Sequence, residues 1–143
     1  MSALHFSTDI REMDVIRIHE WLSNSYWAKA IPLQIVKRAM QHSLCFGVFQ
    51  ESRQIAFARV ISDYNTYAYL CDVIVDENER GAGVGKQLMR FIVQHPELQG
   101  LRKFSLATLD AHGLYAQFGF TPLAEPQLMM EISKKGIYTT AAD

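Results

Sequence analysis

The segment Val75-Asp-Glu-Asn-Glu-Arg80-Gly81-Ala82-Gly83-Val84-Gly85-Lys86 constrains this chain most, because a β-branched apolar run ends there and a helical pattern starts beyond alternating glycines. Glycines let successive amides turn toward one point without Cβ clashes. The first turn of the following helix adds unpaired N–H groups and a partial positive charge. Such a nest favours phosphate, with Arg80 and Lys86 as local cations. A glycine connector that only lets helix pack tightly on strand has the same spacing, so spacing alone leaves both readings open.

Whatever is bound there must be held locally, since 14 Lys and Arg against 15 Asp and Glu leave a net charge of −1. No long-range field favours nucleic acid or a membrane surface as partner. With 143 residues, 49% of them hydrophobic, the expectation is one domain over residues 1–143. Folded compactly, that mass exposes roughly 7,500 Å². The apolar runs fall well short of the roughly 20 residues that span a bilayer. Met1 to Ile10 lacks the basic start and apolar stretch of a secretory signal, and only Cys45 and Cys71 are present, in apolar runs. A reducing, cytoplasmic setting is expected. His5, His19, His42, His95 and His112 are scattered without metal-site spacing, so no metal is expected.

The apolar period changes along the chain. Ile10, Met13, Ile16, Ile18 and Trp21 recur near helical spacing, with Thr8 or Asp9 as N-cap, and Pro32 opens a second helix that ends near His42. Leu44 to Phe49 and Gln54 to Ile61 then form a hairpin across Glu51-Ser52-Arg53, and Asp63-Tyr64-Asn65 turns the chain into a strand from Tyr67 to Val75. Gly83 to His95 reads as a helix stopped by Pro96, Lys103 to Thr108 as a strand, and Asp110 as the cap of a short helix reaching Phe118. Two further apolar segments lie near Phe120 and at Leu128 to Ile132. The pattern is mixed α/β.

Two phosphate-binding motifs fail on spacing. A Walker A loop requires Gly at position 80 and Ser or Thr at 87, where this chain has Arg80 and Gln87. Starting at Gly81 or Gly83, the dinucleotide fingerprint meets Lys86 or Leu88 in place of its last glycine, and the preceding strands are antiparallel. A P-loop nucleotide binder is therefore disfavoured. The run Arg80-Gly81-Ala82-Gly83-Val84-Gly85 instead resembles the Gln/Arg-x-x-Gly-x-Gly/Ala signature of the GNAT superfamily of N-acetyltransferases. The order of elements around it and Tyr115-Ala-Gln-Phe-Gly-Phe120 extend the resemblance over the chain.

That resemblance implies a mixed, mostly antiparallel sheet of six to seven strands flanked by about four helices, ending in a hairpin. It implies acetyl-CoA as co-substrate, with the amides of Arg80, Gly81, Ala82, Gly83, Val84, Gly85 and Lys86 on its pyrophosphate. The backbone of Val73, Ile74 and Val75 would face its pantetheine amides. Tyr115 matches the tyrosine that protonates the departing thiolate. Asp72 is notable by itself, because a carboxylate inside an apolar strand is costly to bury without a partner; it is either a base for the incoming amine or an acceptor that orders the sheet. Tyr69 and His112 are reserve candidates, Tyr26 and Trp27 could line the acceptor cleft, and Arg59 and Asp63 read as solvated by default. The function implied is acetyl transfer to a primary amine of a small molecule or peptide by direct attack in a ternary complex. The alternative is a CoA-binding module without turnover. Apolar residues near the end of the chain are compatible with a homodimer.

Overall fold

A computed structural model describes residues 3–139. Its organising unit is a hairpin of β2 (Leu44–Gln50) and β3 (Arg53–Ser62). Glu51 and Ser52 between them both take positive φ, 51° and 71°, giving the turn whose twist matches two right-twisted strands. Asp63 then holds the next turn, accepting the amides of Asn65, Thr66 and Tyr67 and the Thr66 hydroxyl, and β4 (Tyr67–Val75) returns antiparallel. Asp63 is thus a turn anchor.

The sheet is completed by β1 (Leu4–Ser7) on one side of β2 and β5 (Lys103–Leu106) on the far side of β4, in the order β1-β2-β3-β4-β5. Only the β4–β5 pair is parallel. Alternation along the strands feeds two cores. Ala58, Val60, Ala68 and Leu70 pack with α3 (Val84–Val93) and α4 (His112–Ala116) on one face. Cys45, Phe49 and Phe57 pack with α1 (Val15–Ser23) and α2 (Leu33–Gln41) on the other.

The expected α/β architecture with four helices is present, and several boundaries differ. The first helix splits into a turn of 3-10 helix at Ile10–Glu12, capped by Asp9, and α1. The Asp14 amide is drawn to buried Gln54 Oε1 at 2.8 Å, and the Asp14 carboxylate caps α1 through Arg17 N. Asp110 does not cap α4, which has no side-chain cap; the Thr108 hydroxyl accepts the Ala111 amide instead, ending β5 at Leu106. The sheet has five strands among the described residues, not six or seven. β1 was not foreseen, because four residues that merely complete the edge of β2 carry little periodic signal. No C-terminal hairpin forms among the described residues: 121–137 are all exposed, and Pro122 and Pro126 remove two ladder donors.

Buried Asp76, just past β4, ties the layers together. It accepts the Asn78 amide and pairs with Arg17 from α1 and Arg53 from β3. The Asn78 amide foremost, with both guanidinium groups, holds its carboxyl below the usual range. A lowered folded value means stabilisation present above the unfolded value of about 3.9 and lost as pH falls through the folded one. Asp76→Asn should therefore lose about 1.5–3 kcal/mol at neutral pH. Denaturant midpoints taken across an acid series should show the gap to wild type closing progressively as the pH drops below the unfolded value of about 3.9.

Candidate active site

One irregularity in β4 builds the site. The register pairs Arg59 with Cys71 and Phe57 with Ile74, so Ala58 faces both Asp72 and Val73 across a β-bulge. Asp72 takes φ of 55°, a left-handed conformation that Asp tolerates better than most residues. The bulge reverses the alternation. Ala68 and Leu70 before it and Val73 and Val75 after it all pack toward the α3 core, while Ile74 joins the α1/α2 core.

Asp72 consequently lies with Arg59 and not across the sheet from it. Its Oδ2 accepts from Arg59 Nε at 2.8 Å and its Oδ1 from the Trp27 indole N–H at 2.8 Å. Arg59 also donates to the Ser43 hydroxyl at 3.0 Å. With side chains 18% and 10% exposed, Arg59 and Asp72 form a largely buried ion pair. Burial opposes the charge on Arg59, but the adjacent Asp72 carboxylate, Cys71 and Cys45 together offset it and raise its pKa. Sequence treated Arg59 as solvated; the recoverable signal was an arginine in an otherwise buried strand.

Tyr26 and Trp27, in the loop between α1 and α2, stack edge to face at 5.0 Å. They reach over both halves of the site. Trp27 holds Asp72, and Tyr26 is among the groups that raise the Tyr115 phenol. Tyr69, whose own pKa is raised first by burial, lies within electrostatic reach of Cys71, Asp72 and Arg59. A small cavity beside the Arg59–Asp72 pair, walled by Val36, Met40 and Phe57, shares Ala39 and Arg59 with an open groove of about 500 Å³ between α2 and β3.

Beyond the bulge the strands part. β5 pairs with Tyr67 through Leu70 only, leaving Val73, Ile74 and Val75 without a strand neighbour on that side. The chain then enters the glycine turn, where Gly81 and Gly83 have φ of 85° and 83°. A Cβ at either would meet no atom within 4 Å, so their open surroundings do not require glycine, but their conformation does. Gly83 caps α3 without any side-chain bond, so the first amides of the helix remain available. Ala82 and Lys86 are exposed here, whereas the Val84 side chain is buried and can offer only its amide. Arg80 is partly committed, with Nε donating to the Val75 carbonyl at 3.2 Å.

Three elements converge behind that turn. A Cβ on Gly85 would stand 3.7 Å from Val75 Cγ2 and 4.0 Å from Leu114 Cδ2, so α3, β4 and α4 touch at one point. Next to Leu114, Tyr115 is 8% exposed, and its ring packs at 6.2 Å against Phe120. Burial, then Asp110 and Tyr26, push its pKa above the ordinary tyrosine value. The phenol keeps its proton through neutral pH. His112 is exposed at the start of α4. Burial pushes the Cys71 thiol up to about 11, which disfavours the thiolate a covalent route requires. No three His, Cys, Asp or Glu side chains cluster as metal ligands among the described residues.

The Acetyltransferase (GNAT) family model matches residues 15–120, and the chain belongs to that family. A crystal structure of a GNAT-family protein from Xanthomonas campestris pv. campestris is 57% identical, with a TM-score of 0.95 over 98% of this chain and 99% of that one. A predicted acetyltransferase from Clostridium acetobutylicum, crystallised with acetyl-CoA, shares the fold at 14% identity and a TM-score of 0.61, covering 93% and 96% of the two chains. An uncharacterised ycf52-like N-acetyltransferase from Prochlorococcus marinus is 30% identical over 69% of this chain, a match that spans 57% of that relative's own length. The chain is an enzyme of the acetyltransferase class.

Because the Arg59–Asp72 pair is largely buried, Arg59→Met should strand a carboxylate and lower unfolding stability by about 3–5 kcal/mol. Adding Asp72→Asn should recover part of that loss in urea titrations, whereas strictly additive losses would show that the two groups do not act as a pair.

Proposed function

We propose that this enzyme transfers an acetyl group from acetyl-CoA to a primary amine of a small molecule or peptide by direct attack within a ternary complex. The supporting observation is the opening between β4 and β5. It offers the strand edge at Val73 to Val75, the uncapped start of α3 and the buried Tyr115 phenol around one convergence point.

The residues present fit acetyl-CoA. Amides of Gly81 through Lys86 would hold the pyrophosphate, since a helix N-terminus binds a dianion without requiring a positive protein. Main-chain groups of Val73 to Val75 would hold the pantetheine amides. Acetyl-CoA would supply the thioester carbonyl that accepts the amine. Tyr115 would donate its proton to the departing sulfur and recover one afterwards; a phenol and a thiol are of similar enough basicity for that exchange.

Asp72, already paired with Arg59 and Trp27, would lie on the acceptor side. It would take the amine proton directly or through water, with Tyr69 beside it and Tyr26 and Trp27 forming the wall. The near-neutral chain gives no reason to expect nucleic acid as acceptor. No helix among the described residues is long and apolar enough to cross a membrane, and two free cysteines suit the cytoplasm.

Tyr115→Phe should lower kcat by about 10²- to 10⁴-fold, the range for loss of a general acid, while acetyl-CoA binds as before by calorimetry. An amine panel read by release of the free thiol supplies the rate. Because the Tyr115 pKa is raised, its acid form is lost only on the alkaline side, so any fall in kcat from that ionisation should lie above about 10. Undiminished turnover in Tyr115→Phe would remove the tyrosine from this role.

A further inference from the structure

Ile35, Arg38, Ala39 and the C-cap His42 recur at helical spacing along α2, beside the buried stripe of Val36 and Met40. They form one wall of the open groove between α2 and β3, and Arg59 and Ile61 form the other. Alternation along β3 puts those two residues on this face, because Ala58 and Val60 between and before them are buried in the α3 core. At about 500 Å³ the groove has the size of a small-molecule site.

Its charge has one sign. Arg38, His42 and Arg59 are the ionisable residues on its walls, and no carboxylate lines it. Arg38 has no ion pair or hydrogen-bond partner for its side chain among the described residues. Arg59 donates through Nε to Asp72 and through Nη1 to Ser43, which leaves Nη2 without a partner among the described residues. Those two bonds fix the plane of the guanidinium, so a third contact costs little further ordering. Asp72 already offsets the charge of Arg59, and Arg38 is left as the uncompensated cation. That balance suits a singly charged, planar carboxylate, which a guanidinium fork matches in shape, better than a phosphate dianion. Ile35, Ala39 and Ile61 add apolar wall beside these donors.

The groove also adjoins the face of the sheet on which the chemistry is proposed. Ile61 pairs with Tyr69, so the two side chains share a face, and β5 stays beside β4 only as far as Leu70, one residue on. Asp72 is bonded to the same Arg59 that lines the groove. We propose that the α2–β3 groove binds the carboxylate of the acceptor, so that the substrate is a small amino acid-like molecule, an amine joined to a carboxylate by an apolar frame. Arg38 and Arg59 hold the carboxylate, and the amine is left toward Tyr69 and Asp72. This inference rests on the amine transfer proposed above and narrows its acceptor.

The test is a matched panel at saturating acetyl-CoA: glycine, leucine, phenylalanine and ω-amino acids up to 6-aminohexanoate, each against its own carboxamide, with aminoalkyl phosphates as a third arm. At least one acid should exceed its amide in kcat/KM by about 10- to 100-fold, the range for a charge-assisted contact. Arg38→Gln should bring that ratio toward one and Arg38→Lys should retain part of it. The Arg38→Gln denaturant midpoint should stay near wild type, because Arg38 is exposed. Acids and amides turned over equally would overturn the proposal while leaving acetyl transfer in place, and so would a preference for the phosphates. If no amine is turned over, transfer itself fails, and calorimetry of the acids against the CoA-bound protein decides the groove separately. Binding of an acid over its amide that is lost in Arg38→Gln would sustain the carboxylate site; no such binding would overturn it.

Discussion

One extra residue in β4 governs the molecule's asymmetry. With Asp72 held at φ 55° opposite Ala58, the strand is displaced where its pairing with β5 stops, and its alternation reverses. A regular β4 would keep one alternation along its whole length. It would also aim residue 72 toward the α3 core, where a carboxylate has no cation. The bulge thus separates the two faces of the site, with main-chain donors and Tyr115 toward α3 and the Arg59–Asp72 pair toward α1 and α2. The cost of a left-handed non-glycine residue is offset by the three groups around its side chain, since Trp27 and Arg59 bind the carboxylate and Ser43 binds Arg59.

Charge is handled locally throughout. The chain as a whole carries −1, yet the turn from Arg80 to Lys86 concentrates amide donors and two cations where a phosphate ligand would sit. Asp76, a few residues before, is neutralised by Arg17 and Arg53 and turned to structural use, so it does not oppose that anion freely. Cys71, flanking the bulge, is kept as a thiol by burial. The proposed chemistry therefore falls to a phenol and a carboxylate.

Much of the scaffold was legible in the residues. Period-two runs, the Asp63 turn and the helix after Gly83 each report a local preference that the tertiary structure reinforces. The single helix expected from Asp9 through Trp21 shows the limit of such signals, because Asp14, five residues after Asp9, caps α1 in its place. Gln54, far along the chain, decides between them by binding the Asp14 amide. The expected strand at Leu128 to Ile132 illustrates the same limit from the other side, since a β-forming segment becomes a strand only when an edge is beside it.

By itself, the sequence determined where the chain turns, which residues seek burial, and that backbone amides are gathered at Gly81 to Lys86, because these follow from φ preference, apolar period and missing side chains. It also carried Tyr115 and Asp72 as residues that needed explanation. Only the tertiary structure decided that Asp72 meets Arg59 and Trp27, that β4 parts from β5, and that Val75, Gly85 and Leu114 converge. Those facts depend on register between strands, and one inserted residue reverses every side chain beyond it without leaving a mark on the local pattern.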